Sequence, residues 1–226
     1  MLDSALNVLT SGRNFSRLMD GLGITLWISF VSVGLSIVLG IPAGLLMASK
    51  SKIWNFILRI YLEFIRIMPI LVLLFLFYYS LSQAFEVNLS PFFVSVLVFT
   101  LWGVAEMSDL VRSAVTSIPV HQRESGRALG LTEIQINFHI IIPQAVRRLL
   151  PGVINLATRM IKTTPFVFFI NMPDLMKVGQ QIVEVSGIRD PMASVWVYGF
   201  IFLIYFIICY PVSLFSRYLE GRWQSA

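Results

Sequence analysis

Four stretches of this chain carry no charged residue: Gly21 to Ser49 (29 residues), Ile67 to Phe85 (19), Val87 to Ala105 (19) and Pro191 to Ser216 (26). A helix needs roughly 20 apolar residues to cross a ~30 Å hydrocarbon core. A soluble fold would have to bury all four runs inside 25.6 kDa. The chain is therefore expected to be an all-α integral membrane protein.

The runs and their boundaries predict helices over 22–47, 67–81, 92–111, 149–172 and 192–215, all within one transmembrane domain covering 1–226. The first holds Gly34, Gly40, Pro42 and Gly44, which suit close helix contact in lipid. Arg59, Glu63 and Arg66 form one stripe leading through Pro69 into the second, a salt-bridged elbow. Glu106, Asp109 and Arg112 share a face of the third. The fourth is interrupted by Arg159, Lys162, Pro165 and Asn171. Asn171, Pro173 and Asp174 read as an outward turn, and a polar loop is expected to reach Asp190.

Charge placement supports five crossings. One side then receives Lys50, Lys52, Arg59, Arg112, Arg123, Arg127, Arg147, Arg148, Arg217 and Arg222; the other receives only Arg13, Arg17, Lys177 and Arg189. The latter are diluted by acids that include Asp3 and Asp20. Basic loops stay cytoplasmic, which places the N-terminus outside and the C-terminus inside. The net charge of +5 thus reflects membrane orientation, and no nucleic-acid partner is expected. The polar leader before Gly21 lacks signal-peptide organisation, so the first run reads as a retained helix. The single cysteine, Cys209, excludes an internal disulfide, and His121, His139 and Cys209 cannot make a convincing metal site.

The most informative polar stretch is 119–143. Pro119 can open a helix, and Gly130 suits the left-handed position just past its end. Thr132 and Gln135 make a capping box for a second short helix. Ile142 before Pro143 is expected to end it. The first helix should expose Glu124, Ser125, Gly126 and Ala128, a surface small enough for a partner's groove. An amphipathic helix at the membrane interface explains the same residues.

The spacing Glu124-Ser125-Gly126, three residues, Gly130, nine residues, Ile140, one residue, Ile142-Pro143 resembles the signature of ABC-importer permeases. Further pieces fall in the order seen in the polar amino-acid subfamily. They are Gly23 to Ser29, Tyr61 to Pro69, Ala105 to Arg112, Ser117 to Pro119, Ile142 to Ala145, Leu149 to Pro151, Lys162 to Thr164, Pro173 to Leu175, and Leu219-Glu220. The chain departs from the family at Ile67-Met68, at Glu106 and Asp109, and at Thr163 with Pro165-Phe166. The resemblance implies a type I importer fold of about five spans. It implies a cytoplasmic coupling helix on which Arg123, Glu124, Ser125, Gly126, Ala128, Leu129 and Gly130 meet a separate ATPase. It also implies a second permease (identical or paralogous), an extracytoplasmic binding protein, a polar amino-acid substrate and an inner-membrane location. ATP and Mg would bind the ATPase, with no cofactor or metal on this chain.

Charges inside spans face a cavity or a partner. Lys162, with Thr163 and Thr164, is expected either to meet a substrate carboxylate or, like Arg159, to pair with Glu106 or Asp109. Glu106 and Asp109 could attract an ammonium, or Asp109 could simply bond Arg112. No phosphate-binding Gly-rich loop occurs, so hydrolysis is assigned to another chain. A self-contained secondary transporter or channel is the alternative, disfavoured by the short chain without an inverted repeat. A membrane enzyme would need a nucleophile or paired-carboxylate site, and none stands out.

Overall fold

The computed structural model describes residues 7–49, 51–188 and 190–224. Asp3, Lys50, Arg189 and Ala226, which enter the orientation argument or its test, lie outside the described residues. Among the described residues the secondary structure is helical: α1 Asn14–Ala48, α2 Lys52–Ile67, α3 Ile70–Phe75, α4 Pro91–Thr116, α5 Val120–Ala128, α6 Glu133–Ile136, α7 Ile142–Thr163, α8 Leu175–Ser186 and α9 Ala193–Gln224. α3 continues through a π-helical turn, Leu76–Leu81, to Ala84, and α7 continues into a 3₁₀ turn, Thr164–Ile170. Four helical stretches are long and apolar enough to cross a membrane, and a fifth is reached if α2 and the segment Ile70–Ala84 count as one broken span.

The helices outrun the charge-free windows because a helix need not stop where the hydrocarbon does. The second window is the exception. Pro69 has no N–H and forces Met68 out of the α region, to φ −73° and ψ 126°. The chain bends by 98° there. Ile67 ends the elbow helix α2 and does not start the span.

Two compact units emerge, and each draws residues from α1, α4, α7 and α9. One comprises residues up to 32, 69–99 and 159–211; the other comprises 33–68, 100–158 and from 212 onward. In the first, Leu18, Leu175, Val178, Ile182, Val197 and Ile201 form a continuous apolar cluster. Here the structure replaces the expected polar loop with α8. Its buried positions, Leu175, Val178, Gly179 and Ile182, fall at i, i+3, i+4 and i+7. Asp174 does not turn outward. It is fully buried and caps α8, its Oδ1 accepting from the Lys177 backbone N–H at 2.9 Å.

In the second unit, α1 meets α4 through glycine. A Cβ on Gly40 would lie 2.6 Å from Met107 Cβ, and one on Gly44 would lie 2.5 Å from the Ser108 carbonyl oxygen. Backbone approach this close is the known use of small residues four apart in lipid. Gly34 does not share this role: nothing lies within 4 Å of its Cβ position.

Candidate functional site

The coupling stretch is capped at each turn. Pro119, in extended conformation, precedes α5. At the other end Gly130 adopts φ +76°, which glycine alone takes without a Cβ penalty. That turn directs the Leu131 N–H to the Gly126 carbonyl at 3.0 Å and the Gly130 N–H to the Arg127 carbonyl at 2.9 Å, the two bonds of a Schellman motif. The Thr132 hydroxyl accepts from the Gln135 N–H while the Gln135 side chain accepts from the Thr132 N–H, which completes the capping box.

Gly126 differs from expectation. It is buried, and a Cβ there would come within 2.8 Å of Ile136. Its smallness brings α5 down onto α6 and the cluster of Ile118, Ile136, Ile141 and Ala145. The outward face instead carries Glu124, Ser125, Ala128 and Leu129, the last 79% exposed. Glu124 forms no hydrogen bond or ion pair among the described residues. Glu133 pairs with Arg127 at 2.6 Å and more loosely with Arg123 at 3.7 Å. Arg123 is thereby drawn toward α6.

Pro143 does not terminate a helix, contrary to expectation. A π-helical turn over Asn137–Ile141 precedes α7, in which Pro143 is the second residue. The wider turn accommodates a residue that can neither donate its N–H nor tolerate a normal i−4 carbonyl.

The in-span carboxylates sit in an ionic cluster. Arg66 Nη2 lies 2.7 Å from Asp109 Oδ2, and its Nε lies 3.3 Å from Glu106 Oε1. Arg112 holds the other oxygen of Asp109 at 2.6 Å. The elbow stripe therefore does not pair along its own helix. Arg66 reaches α4, and Arg59 and Glu63 form no ion pair among the described residues.

Lys162, Thr163 and Thr164 stand at the junction of α7 and its 3₁₀ extension. Thr163 and Thr164 donate their hydroxyls to the Arg159 and Ile161 carbonyls, each at 2.7 Å. Lys162 is exposed on this chain and forms no hydrogen bond or ion pair among the described residues. A permanent acidic partner for Lys162 is thus absent from those residues.

Asp174 was not singled out as a site from the sequence. Its Oδ2 is buried without a hydrogen-bond partner. Burial pushes its carboxyl up to about 6, against backbone N–H groups that oppose the shift. The available signal was an Asp three residues before Lys177, with apolar residues at helical spacing after it.

The family model for the binding-protein-dependent transport system inner membrane component matches residues 40–225. The chain belongs to this family. It is a membrane-spanning transport subunit of the bacterial inner membrane. The permease is 31% identical over 208 residues to the glutamine transport system permease protein GlnP of Escherichia coli (strain K12), a match covering 92% of this chain and 93% of that one. It is also 31% identical over 205 residues to the L-cystine transport system permease protein TcyB of Bacillus subtilis (strain 168), covering 91% and 86%. A crystal structure of an amino acid ABC transporter with histidines superposes with a TM-score of 0.80 at 27% identity, covering 91% of the permease and 95% of that chain. The all-α type I importer fold and the role of permease subunit in an ABC importer follow.

Proposed function

We propose that this permease carries polar amino acids inward as one half of a translocation path. A second permease subunit (identical or paralogous) completes the path about a two-fold axis. A binding protein delivers substrate from outside. ATP and Mg act on a separate ATPase, and this chain binds neither. The N-terminus lies outside and the C-terminus in the cytoplasm. Two relatives of equal identity that serve glutamine and L-cystine support the substrate class without choosing a member of it.

The observation that carries the coupling role is the outward face of α5. Glu124, Ser125, Ala128 and Leu129 project from a helix held by the Gly130 turn and the Thr132 box, with an unpaired carboxylate beside an exposed leucine. A partner can desolvate such a face without breaking any side-chain hydrogen bond or ion pair among the described residues. Arg123, Gly126 and Gly130 serve it by positioning. Lys162, Thr163 and Thr164 are the candidates to line the substrate route; Glu106 and Asp109 would join them only by giving up their ion pairs with Arg66 and Arg112.

Glu124→Lys and Gly130→Pro test this reading. Both are expected to leave protein in the membrane while uptake falls and ATP hydrolysis is no longer stimulated by loaded binding protein. Normal uptake by both would remove the coupling assignment. A reporter fused at Ala226 is expected to read as cytoplasmic, and a periplasmic signal would overturn the orientation.

A further inference from the structure

Where α1 ends and the elbow helix α2 begins, a cavity of about 480 Å³ opens within one unit of the chain. Three of its lining side chains, Lys52, Arg59 and Arg112, are cationic, and none of the others is acidic. Arg112 is neutralised by Asp109 at 2.6 Å. Lys52 and Arg59 have no such partner: neither forms a hydrogen bond or ion pair among the described residues. They lie seven residues apart, on one face of α2. Asn55, between them, is committed elsewhere. Its amide donates to the Ser49 and Ser51 carbonyls at 2.8 and 3.0 Å and holds the turn in shape.

The cavity's flank is apolar. Phe56 and Met47 line it, and along α2 Ile53 and Phe56 are 73% and 67% exposed, with Ile57 and Ile60 also uncovered. α2 turns only Leu62 and Ile65 fully inward. A helix with this division suits the plane of the membrane interface. Two unsatisfied cations beside exposed apolar side chains match an amphiphile with a negative head. Basic pockets next to spans take anionic headgroups for the same reason.

We propose that this cavity seats the phosphodiester headgroup of an anionic phospholipid. Lys52 and Arg59 contact phosphate oxygens, and the acyl chains run along Ile53, Phe56 and Ile60. Phosphate chemistry alone would also suit a soluble phosphate. The apolar flank selects the lipid. The inference rests on the chain spanning a membrane and is independent of which amino acid it carries.

Native mass spectrometry on the full chain, released from nanodiscs of mixed phosphatidylcholine and phosphatidylglycerol, tests this. Wild type is expected to retain phosphatidylglycerol in preference to phosphatidylcholine. Lys52→Gln and Arg59→Gln should each cut that preference about fivefold, with phosphatidylcholine retention as the internal control. Arg59→Lys should keep most of it. Millimolar inorganic phosphate should not displace the lipid. Equal retention of the two lipids by wild type, or an unchanged preference in both neutral variants, would overturn the proposal. Displacement by inorganic phosphate would also overturn it, assigning the cavity to a soluble anion. If one neutral variant fails to fold, the other decides.

Discussion

The charges placed in the spans behave in two ways. Around Arg66, two guanidinium groups and two carboxylates meet at 2.6 to 3.3 Å and cancel within the chain. At Lys162, an exposed ammonium has no ion-pair or hydrogen-bond partner among the described residues. The first arrangement is complete as it stands and serves to hold the elbow helix to α4. The second is left open by the described residues. An intramembrane charge is therefore informative about function to the extent that its own fold leaves it unanswered.

The largest effect should come from opening the closed cluster. Asp109→Ala leaves Arg66 and Arg112 without their shared acceptor and is expected to destabilise the protein by about 2–3 kcal/mol, read as a fall in Tm in detergent. A double-mutant cycle with Arg66→Met should recover part of that loss. A Tm unchanged in Asp109→Ala would show the cluster to be no more structural than Lys162.

Asp174 sharpens the comparison as a buried carboxyl whose desolvation outweighs the nearby charge of Lys177. Its folded-state carboxyl sits near 6 against an ordinary 3.8. The folded chain therefore keeps this proton longer than the unfolded chain does. The resulting stability is fully present below about pH 3.8 and is lost as pH rises through 6. The change is of the order of 3 kcal/mol. Asp174→Asn keeps the helix cap and removes the titration. The Tm of wild type should fall relative to that of the variant between pH 4 and 7, and parallel curves would refute the assignment.

Lys162→Met is the counterpart of the Asp109 experiment. Its Tm should match wild type, while uptake falls about tenfold, equivalent to about 1.4 kcal/mol of lost recognition. Full uptake would make Lys162 a spectator; a lowered Tm would make it structural. The smallest effect is expected from Arg123→Gln. Its contact with Glu133 is loose, at 3.7 Å, and exposed. Thermal melts should place it within about 0.5 kcal/mol of wild type.

What could be read in the sequence follows the range of the interactions involved. The caps at Gly130 and Thr132, the break at Pro69 and the long apolar runs are local, and each is visible in a few adjacent residues. The 40-residue separation of Arg66 from Glu106 is not local, so the stripe Arg59, Glu63, Arg66 pointed to a pairing along the helix that does not form. α8 was missed because Lys177 and Glu184 mask an apolar set of only Leu175, Val178, Gly179 and Ile182. Gly126 was misread because smallness suits a buried contact as well as an exposed one, and only the position of Ile136 distinguishes them. For Pro143 the local rule was overridden: Ile142 keeps α geometry, at φ −59° and ψ −46°, and the helix passes through the proline behind a widened turn.

The 98° bend at Pro69 has a consequence for how the protein is made. It leaves Ile70–Ala84, 15 residues, as the membrane-directed part of the second span, short of the roughly 20 that lipid alone would hold. During synthesis a segment this short is expected to partition weakly by itself. It is expected to enter the bilayer together with α4, which follows after the brief turn through Glu86, as a hairpin. The elbow helix, already emerged, is then expected to stay at the surface, so a single proline sets which part of the segment enters first.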